Sequence, residues 1–305
     1  MDTHLLADCA ICPRECHVNR LKGATGWCKS GAGFRISSIC LHHGEEPPVS
    51  GDDGICNIFF TNCNLQCIYC QNWQISNNKL DHGSDEMEFD RVIDRIISFL
   101  EKGITRVGFV SPSHVIPQML TIIHEIEDQG YHPVWVYNSN GYDKVETLKR
   151  LEGIIDVYLP DLKYLDPVLS KEYSGAGNYP ETAMAALREM YRQKGAALHT
   201  ADDGTVTSGI IIRHLVLPGE VQNSLDVARF IAEELSPNLH ISLMSQYFPT
   251  PAVASHPRLN RTVSREEYKQ VTDEMERLGL CKGWIQQPES QDHYRPDFRR
   301  ENPFG

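Results

Sequence analysis

Ile55-Cys-Asn-Ile-Phe-Phe-Thr61, a largely apolar segment, runs almost directly into the loop Cys63-Asn-Leu-Gln-Cys67-Ile-Tyr-Cys70. The loop spaces its cysteines C-x3-C-x2-C, and cysteine thiolates are the usual ligands of iron–sulfur clusters. Three thiolates on one short loop can bind three irons of a 4Fe–4S cluster, which leaves the fourth iron open to an exogenous ligand. An open position distinguishes a catalytic metal site from a structural one. A zinc ribbon is the alternative, but zinc usually takes four ligands from CxxC-type pairs, which this loop does not supply.

Composition narrows the class of protein. The 305 residues are 41% hydrophobic, enough for a sizeable core in one large or two modest domains. The net charge of −12 disfavours a nucleic-acid partner, which would need a basic surface. No apolar segment approaches the roughly 18 residues of a membrane span, and the N-terminus Met1-Asp-Thr-His lacks the pattern of a secretory signal. We therefore expect a cytoplasmic protein with no membrane contact, in which the ten cysteines indicate metal binding and not a disulfide scaffold.

Apolar β-rich segments alternate with amphipathic helical segments from about residue 55 to about residue 280. The predicted strands are Ile55–Thr61, Thr105–Val110, Pro133–Asn138, Ile154–Leu159, Gly209–Leu217 and Leu239–Ser245. The predicted helices are Phe89–Lys102, Val115–Gln129, Asp143–Leu151, Pro180–Gln193, Val221–Leu235 and Ser264–Leu278, the last opened by the capping-box pattern Ser264-Arg-Glu-Glu267. Six β-then-α units predict a parallel sheet with right-handed crossovers. Ala196–Thr200 and Thr205–Leu217, joined by Asp202-Asp-Gly204, are expected to form a hairpin.

The cysteine triplet, the aromatic Tyr69 before its last cysteine and the strand leading into it resemble the radical S-adenosylmethionine (SAM) enzymes. The resemblance implies that the SAM methionine group chelates the open iron. It also implies that one electron, from a reducing partner such as flavodoxin or ferredoxin, cleaves SAM to a 5′-deoxyadenosyl radical that abstracts hydrogen. The predicted fold class is α/β: a partial (β/α)6 parallel barrel of radical SAM type over residues 51–282. A small cysteine-rich module of residues 1–50 precedes it, and a tail of residues 283–305 follows it.

Polar residues follow the predicted strands, where parallel α/β folds gather ligands. Over about residues 50–250 the chain is similar to the activating enzyme of pyruvate formate-lyase and to its uncharacterised relatives. That similarity implies cofactor contacts by Asp161 to ribose and by Lys163 to the methionine carboxylate, both in the segment Asp161-Leu-Lys163. It implies further contacts by Arg213 on strand five and by Asn140 in the segment of residues 138–141.

Two departures from that family pattern concern the cofactor. The family's Gly-Gly-Glu segment after strand two is replaced here by Gly108-Phe-Val-Ser-Pro-Ser-His114, which leaves Ser111 and the local backbone as the expected cofactor contacts. The activases' histidine on strand six is replaced near Gln246-Tyr247. The chain therefore resembles the uncharacterised relatives more than a true activase.

The N-terminal region contains a second set of cysteines, Cys9, Cys12, Cys16 and Cys28. Four thiolates suffice for a closed zinc site or a second iron–sulfur cluster, and the sequence does not decide between them. Unliganded buried thiols are the remaining alternative.

Three further groups near the predicted active-site mouth have open roles. Glu45 or Glu46 could line the substrate mouth or lie in a solvated loop. The neighbouring His42 and His43 are more typical of a loop than of metal ligands. Gln71-Asn72 either contacts the cluster or adenine, or simply begins a helix.

Three functions follow from these features. The first is a radical SAM enzyme that acts on a protein or peptide, as a glycyl-radical activase does. The second is the same chemistry on a small molecule. The third, a non-catalytic iron–sulfur electron carrier, fits poorly with an open-iron triplet followed by six βα units. A barrel with little additional covering favours the first.

Overall fold

The structure, a computed structural model, describes residues 3–82, 86–287, 295–300 and 302–304. In chain order, the strands β1 to β9 of these residues are Ile36–His42, Ile55–Phe60, Arg106–Val110, Val134–Ser139, Val157–Pro160, His199–Thr200, Val206–Leu215, His240–Met244 and Gly283–Ile285. The α-helices α1 to α10 are His4–Ala7, Pro47–Ser50, Trp73–Ser76, Phe89–Leu100, Ile116–Asp128, Val145–Lys149, Pro167–Ser174, Tyr179–Lys194, Val221–Phe230 and Arg265–Arg277. Short 3-10 turns cover Arg20–Lys22, Pro112–His114 and Pro251–Val253, and a π-helical turn, Ile231–Leu235, extends α9.

The strands form an open sheet in the order β1-β2-β3-β4-β5-β7-β8-β9. β2 to β5, β7, β8 and β9 run parallel to their neighbours, whereas β1 is antiparallel to β2. The sheet does not close into a barrel. This is the predicted class, an α/β fold with a partial parallel barrel, and the six predicted strands are β2, β3, β4, β5, β7 and β8. The predicted hairpin is also confirmed, because β6 pairs antiparallel with β7.

The helical periodicity matches the packing. The apolar spacing of the first long helix places Val92, Ile93, Ile96 and Phe99 of α4 in the main apolar core. β2 is buried along its whole length because it lies between β1 and β3 with both faces covered.

Several predicted boundaries needed correction. The helix predicted from Asp143 begins only at Val145, because the Asp143 carboxylate turns into the core and accepts hydrogen bonds from the hydroxyls of Tyr137 and Ser139. The helix predicted over Val221–Leu235 is α-helical only to Phe230. The sequence pattern did not reveal α7, β1 or β9. β1 lies outside the β-then-α alternation, and β9 has only three residues.

The division at residues 50 and 282 stays a prediction. Strand β1 from the first range and β9 from the last hydrogen-bond to the same sheet as the middle range. Residues 1–2, 288–294, 301 and 305 of the predicted end segments lie outside the described residues. Across the part of the chain that is described, every helix is too short or too polar to cross a membrane.

Candidate functional site

The cysteine triplet lies at the carboxyl end of β2 and faces a large open pocket. Cys63 is buried, and Asn62 just before it adopts a positive φ of 69°, which turns the chain out of the strand. All three sulfur-bearing residues line the pocket, which contains about 1470 Å³ of empty space including solvent in its mouth. The sequence-predicted residues that line the same pocket are Ser111, Asn140, Asp161, Lys163 and Arg213. The sheet therefore brings the predicted triplet and every predicted cofactor contact to one rim.

Each triplet sulfur has a polar neighbour. The Asn140 amide donates to Cys63 Sγ at 3.3 Å, and the Ser174 hydroxyl donates to Cys67 Sγ at 2.9 Å. Cys70 Sγ lies 3.2 Å from the Ser76 hydroxyl. Hydrogen bonds to sulfur tune iron–sulfur clusters.

Behind Cys67, hydroxyl groups continue the polar contacts into the core. Tyr164 places its hydroxyl 2.8 Å from the Ser174 hydroxyl and 2.5 Å from that of Tyr69. Burial raises the pKa of both tyrosines, so both rings stay neutral. Neither Ser174 nor Tyr164 was predicted at the site; Ser174 lies on α7, which the sequence pattern did not reveal, and Tyr164 precedes that helix. No spacing signal links them to the triplet.

Burial changes the acidity of two of the three thiols, Cys63 and Cys67. Burial raises the pKa of Cys63 to about 12. Burial also raises the pKa of Cys67, to about 11, although the charge of Lys163 opposes this shift. Thiolate ligands form as metal binds and releases their protons.

The donor set fits an iron–sulfur cluster better than one metal ion. In the described residues, no three His, Cys, Asp or Glu side chains converge as ligands of a single ion. In a 4Fe–4S cube each thiolate takes a different iron, so its sulfur ligands need not meet at one point. Three thiols facing a pocket, with donors at their sulfurs, suit that arrangement.

Asp161 and Lys163 follow β5 and form an ion pair at 2.5 Å. Burial tends to lower the pKa of Lys163, but the Asp161 carboxylate outweighs burial and raises it, so the ammonium stays charged. Tyr179 anchors this segment, since its hydroxyl donates to the Asp161 carbonyl and accepts from the Lys163 amide N–H. A fixed ammonium beside a carboxylate can contact both an acidic and a hydroxyl-bearing ligand.

Arg213 is placed at the pocket but is already paired. Its guanidinium donates to the carboxylates of Glu45 and Glu46, including Nε to Glu46 Oε1 at 2.8 Å. Burial tends to lower the pKa of Arg213, whereas the two glutamates raise it. Burial alone would raise the pKa of Glu45, but Arg213 lowers it to about 2. Of the two readings of Glu45 and Glu46, the structure contradicts the solvated loop, because both side chains are largely buried at the pocket.

The remaining predicted groups also line the pocket, and most of them already contact other protein groups. Asn140 accepts from the Tyr142 amide as well as donating to Cys63, so its side chain is tied to the cysteine loop. Ser111 adopts a positive φ of 49° at the rim. Gln71 donates to the Gln246 carbonyl at 2.8 Å, which joins the cysteine loop to the end of β8. His42 is buried against Phe304, and burial lowers its pKa, so it is neutral.

The four N-terminal cysteines meet at a second, smaller cavity that also borders the first turn after β3. The cavity is separate from the pocket that the triplet faces, since no cysteine lines both.

Comparisons with known proteins agree with this geometry. The radical SAM superfamily profile matches residues 57–231. An uncharacterized protein of Methanocaldococcus jannaschii is 28% identical over 289 residues, covering 91% of this chain and 77% of its own. SuiB of Streptococcus suis, solved with S-adenosylmethionine, has a TM-score of 0.50 at 12% identity, covering 77% of this chain and 50% of SuiB. A domain of a pyruvate-formate lyase-activating enzyme from Bacteroides vulgatus has a TM-score of 0.40 at 18% identity, covering 56% of this chain and 91% of that domain.

The profile match spans more than half of the chain and includes the triplet, the Asp161–Lys163 segment and Arg213. This chain belongs to the radical SAM superfamily. Membership implies a 4Fe–4S cluster, SAM, a source of electrons and catalysis by radical chemistry.

Proposed function

We propose that this protein is an activase-like radical SAM enzyme that abstracts hydrogen from a protein or peptide. The observation that supports the proposal is the open pocket, in which the cysteine triplet lies beside the half-buried Asp161–Lys163 pair. When bound, the 4Fe–4S cluster and SAM supply the hydrogen-abstracting 5′-deoxyadenosyl radical.

In this proposal each residue of the pocket has a separate role in binding the cluster or SAM. Cys63, Cys67 and Cys70 hold the cluster, and Ser174 donates to Cys67. Lys163 pairs with the methionine carboxylate as a point charge. These groups orient the cofactor and exclude water around it.

The remaining cofactor contacts lie around the same rim. Asp161 accepts from ribose hydroxyls. Ser111 offers its backbone at a turned position. Asn140 acts through Cys63, whose sulfur it contacts. Arg213 acts indirectly, because its guanidinium forms ion pairs with the carboxylates of Glu45 and Glu46.

Pocket shape supports a macromolecular substrate. From the cysteine loop the pocket extends past the end of β8 to Trp284 and Gln286 at the sheet edge. An open pocket that reaches from the cysteine loop to the sheet edge accommodates an extended chain more readily than a closed cavity does. The reducing partner would be a one-electron protein donor such as flavodoxin or ferredoxin.

A small-molecule substrate remains the second candidate. Pro296 and Phe304 line the pocket, and the Phe304 ring packs on His42 with ring centroids 4.1 Å apart. These residues narrow the mouth, which favours a compact ligand.

Formation of 5′-deoxyadenosine tests the proposed reaction. Anaerobically reconstituted protein is mixed with reductant, SAM and a cell extract separated into macromolecular and small-molecule fractions. We expect the macromolecular fraction to stimulate 5′-deoxyadenosine release, and protease treatment of that fraction to remove the stimulation. Stimulation by the small-molecule fraction alone would select the second candidate.

The triplet variant Cys63→Ala/Cys67→Ala/Cys70→Ala provides the matched control. It should make no 5′-deoxyadenosine and lose the reduced-cluster EPR signal that shifts on adding SAM. The exposed Cys281→Ala change should leave both unaltered. A triplet variant that keeps the SAM-dependent EPR shift would contradict the cluster assignment.

A further inference from the structure

Four cysteines outside the active-site pocket surround a cavity of their own. Cys9, Cys12, Cys16 and Cys28 all line it, and the cavity holds about 330 Å³ of empty space, counting any solvent at its opening. Cys9, Cys12 and Cys28 are buried and Cys16 is half-buried. Backbone hydrogen bonds between Cys9 and Val18, and between His17 and Cys9, fold the segment back on itself.

Two arginines face the same cavity without a carboxylate partner among the described residues. Arg20 is 2% exposed, and its guanidinium donates to the carbonyls of Gly31 and His114, with Nη1 3.9 Å from Cys9 Sγ. Arg14 is half-buried, with its guanidinium over the Trp27 ring at 4.0 Å, and its Nη2 is buried with no hydrogen-bond partner. Buried charges are normally paired. A bound group with net negative charge in this cavity would supply the missing partner.

The backbone is shaped around the cysteines. Gly26 approaches Cys16 so closely that a Cβ would lie 2.6 Å from its sulfur, and the next amide, Trp27 N–H, donates to that sulfur at 3.3 Å. Of the described non-glycine residues, five have positive φ, and three of them, Glu15, His17 and Lys29, flank Cys16 or Cys28. Such backbone persists only where the surroundings hold it.

The arrangement of the four cysteines favours an iron–sulfur cluster over a single zinc ion. Around a tetrahedral zinc, with Zn–S bonds of about 2.3 Å, four sulfurs lie about 3.8 Å apart and leave no void. Here the four cysteines line a cavity, and among the described residues no three His, Cys, Asp or Glu side chains are placed to hold a single ion. Four thiolates around a polynuclear iron–sulfur core do leave such a space.

We propose that Cys9, Cys12, Cys16 and Cys28 bind a second, fully ligated iron–sulfur cluster, with Arg14 and Arg20 as its counter-charges. A cluster bound by four cysteines has a net negative charge, which matches two guanidinium groups that donate to backbone carbonyls but have no carboxylate partner among the described residues. All ligand positions of this cluster are taken by cysteines, so it cannot bind SAM as the cluster of the triplet does.

The proposed site is attached to the triplet loop. Arg14 Nε donates to the Asn64 carbonyl at 2.9 Å, directly beside Cys63. The Asn78 amide donates to the carbonyls of Trp27 and Cys63, both at 2.9 Å. Loading the N-terminal cluster therefore stabilises the loop that holds the triplet.

The test uses the full chain with Cys63→Ala/Cys67→Ala/Cys70→Ala, so that its outcome is independent of the proposed function. After anaerobic purification, iron, sulfide and zinc are counted and a Mössbauer spectrum is recorded. We expect about two to four irons per chain with matching sulfide. Adding Cys12→Ala and Cys16→Ala should remove them, whereas adding Cys281→Ala should not.

About one zinc per chain without sulfide, or no metal at all, would overturn the proposal. If the five-cysteine variant does not fold, as judged by circular dichroism, Cys16→Ser in the triplet-free chain replaces it. This change keeps a ligating oxygen and should shift the reduced-cluster EPR spectrum. An unchanged spectrum would exclude Cys16 as a ligand.

Discussion

At the scale of a single residue, the surroundings of Lys163 suit the cofactor contact that we propose for it. Its ammonium lies in the pocket, held by Asp161 at 2.5 Å, and its backbone is fixed by Tyr179. An exposed pair of the same length, Lys269–Asp273 on α10, lies far outside the pocket lining. The two pairs have the same chemistry and differ in burial, because the Lys163 side chain is 18% exposed and that of Lys269 is 64% exposed. Exposed pairs contribute little.

Lys163→Ala should retain full iron content but bind SAM at least about tenfold more weakly, because a charge-assisted hydrogen bond contributes about 1.5–3 kcal/mol. Equilibrium binding to reconstituted protein measures the change. Lys269→Ala is the control and should bind SAM normally. Normal SAM binding by both Lys163→Ala and Asp161→Ala would place the cofactor elsewhere in the protein.

Helix α10 begins where the capping-box pattern predicted it, with Ser264 as its N-cap. The Ser264 hydroxyl accepts from the Glu267 amide, and the Glu267 carboxylate accepts from the Ser264 amide at 2.8 Å. The Glu267 side chain also accepts from Arg261, whose hydrogen bond lowers the pKa of Glu267 to about 2. A capping box involves only residues close in sequence, so the four-residue pattern was sufficient to predict it.

Ser264→Ala removes the side-chain cap and should lower the free energy of unfolding by about 1 kcal/mol. Chemical denaturation followed by circular dichroism measures this loss. Ser98→Ala, which removes an exposed hydroxyl on α4, should change stability by less than about 0.5 kcal/mol. Equal losses in the two variants would argue against the cap as the cause.

At the scale of the whole molecule, Arg213 joins distant parts of the chain. The arginine on β7 pairs with Glu45 and Glu46, which lie just before α2, over a separation of about 168 positions. All three side chains are at most 10% exposed. Removing one partner from such a group leaves an uncompensated buried charge.

Arg213→Gln should therefore lower the free energy of unfolding by about 3–5 kcal/mol near neutral pH. The folded-state pKa of Glu45 lies at about 2, below its usual 4.5, so the ion pair stabilises the protein above pH 4.5. That contribution is lost as the pH falls toward 2. Denaturation of metal-free protein across this window should show a steeper decline for wild type than for Arg213→Gln, and parallel profiles would contradict the pairing.

The sequence alone predicted those features that depend on near neighbours. The C-x3-C-x2-C spacing, the β-then-α alternation and the cap at Ser264 are local patterns. The six parallel strands and the gathering of Asp161 and Lys163 beside the triplet followed from them, because parallel strands share one carboxyl edge.

Only the tertiary structure decided which distant groups meet. Three sets of contacts join residues far apart in the chain: the Ser174 donor behind Cys67, the glutamate partners of Arg213, and the two arginines at the N-terminal cavity. Strands β1 and β9 also depend on the tertiary structure, because each forms its strand hydrogen bonds with a neighbour, β2 and β8 respectively. Periodicity fixes the direction of a side chain relative to its own element. The packing of whole elements determines which residues that side chain contacts. The spacing of residues along the chain does not encode those contacts.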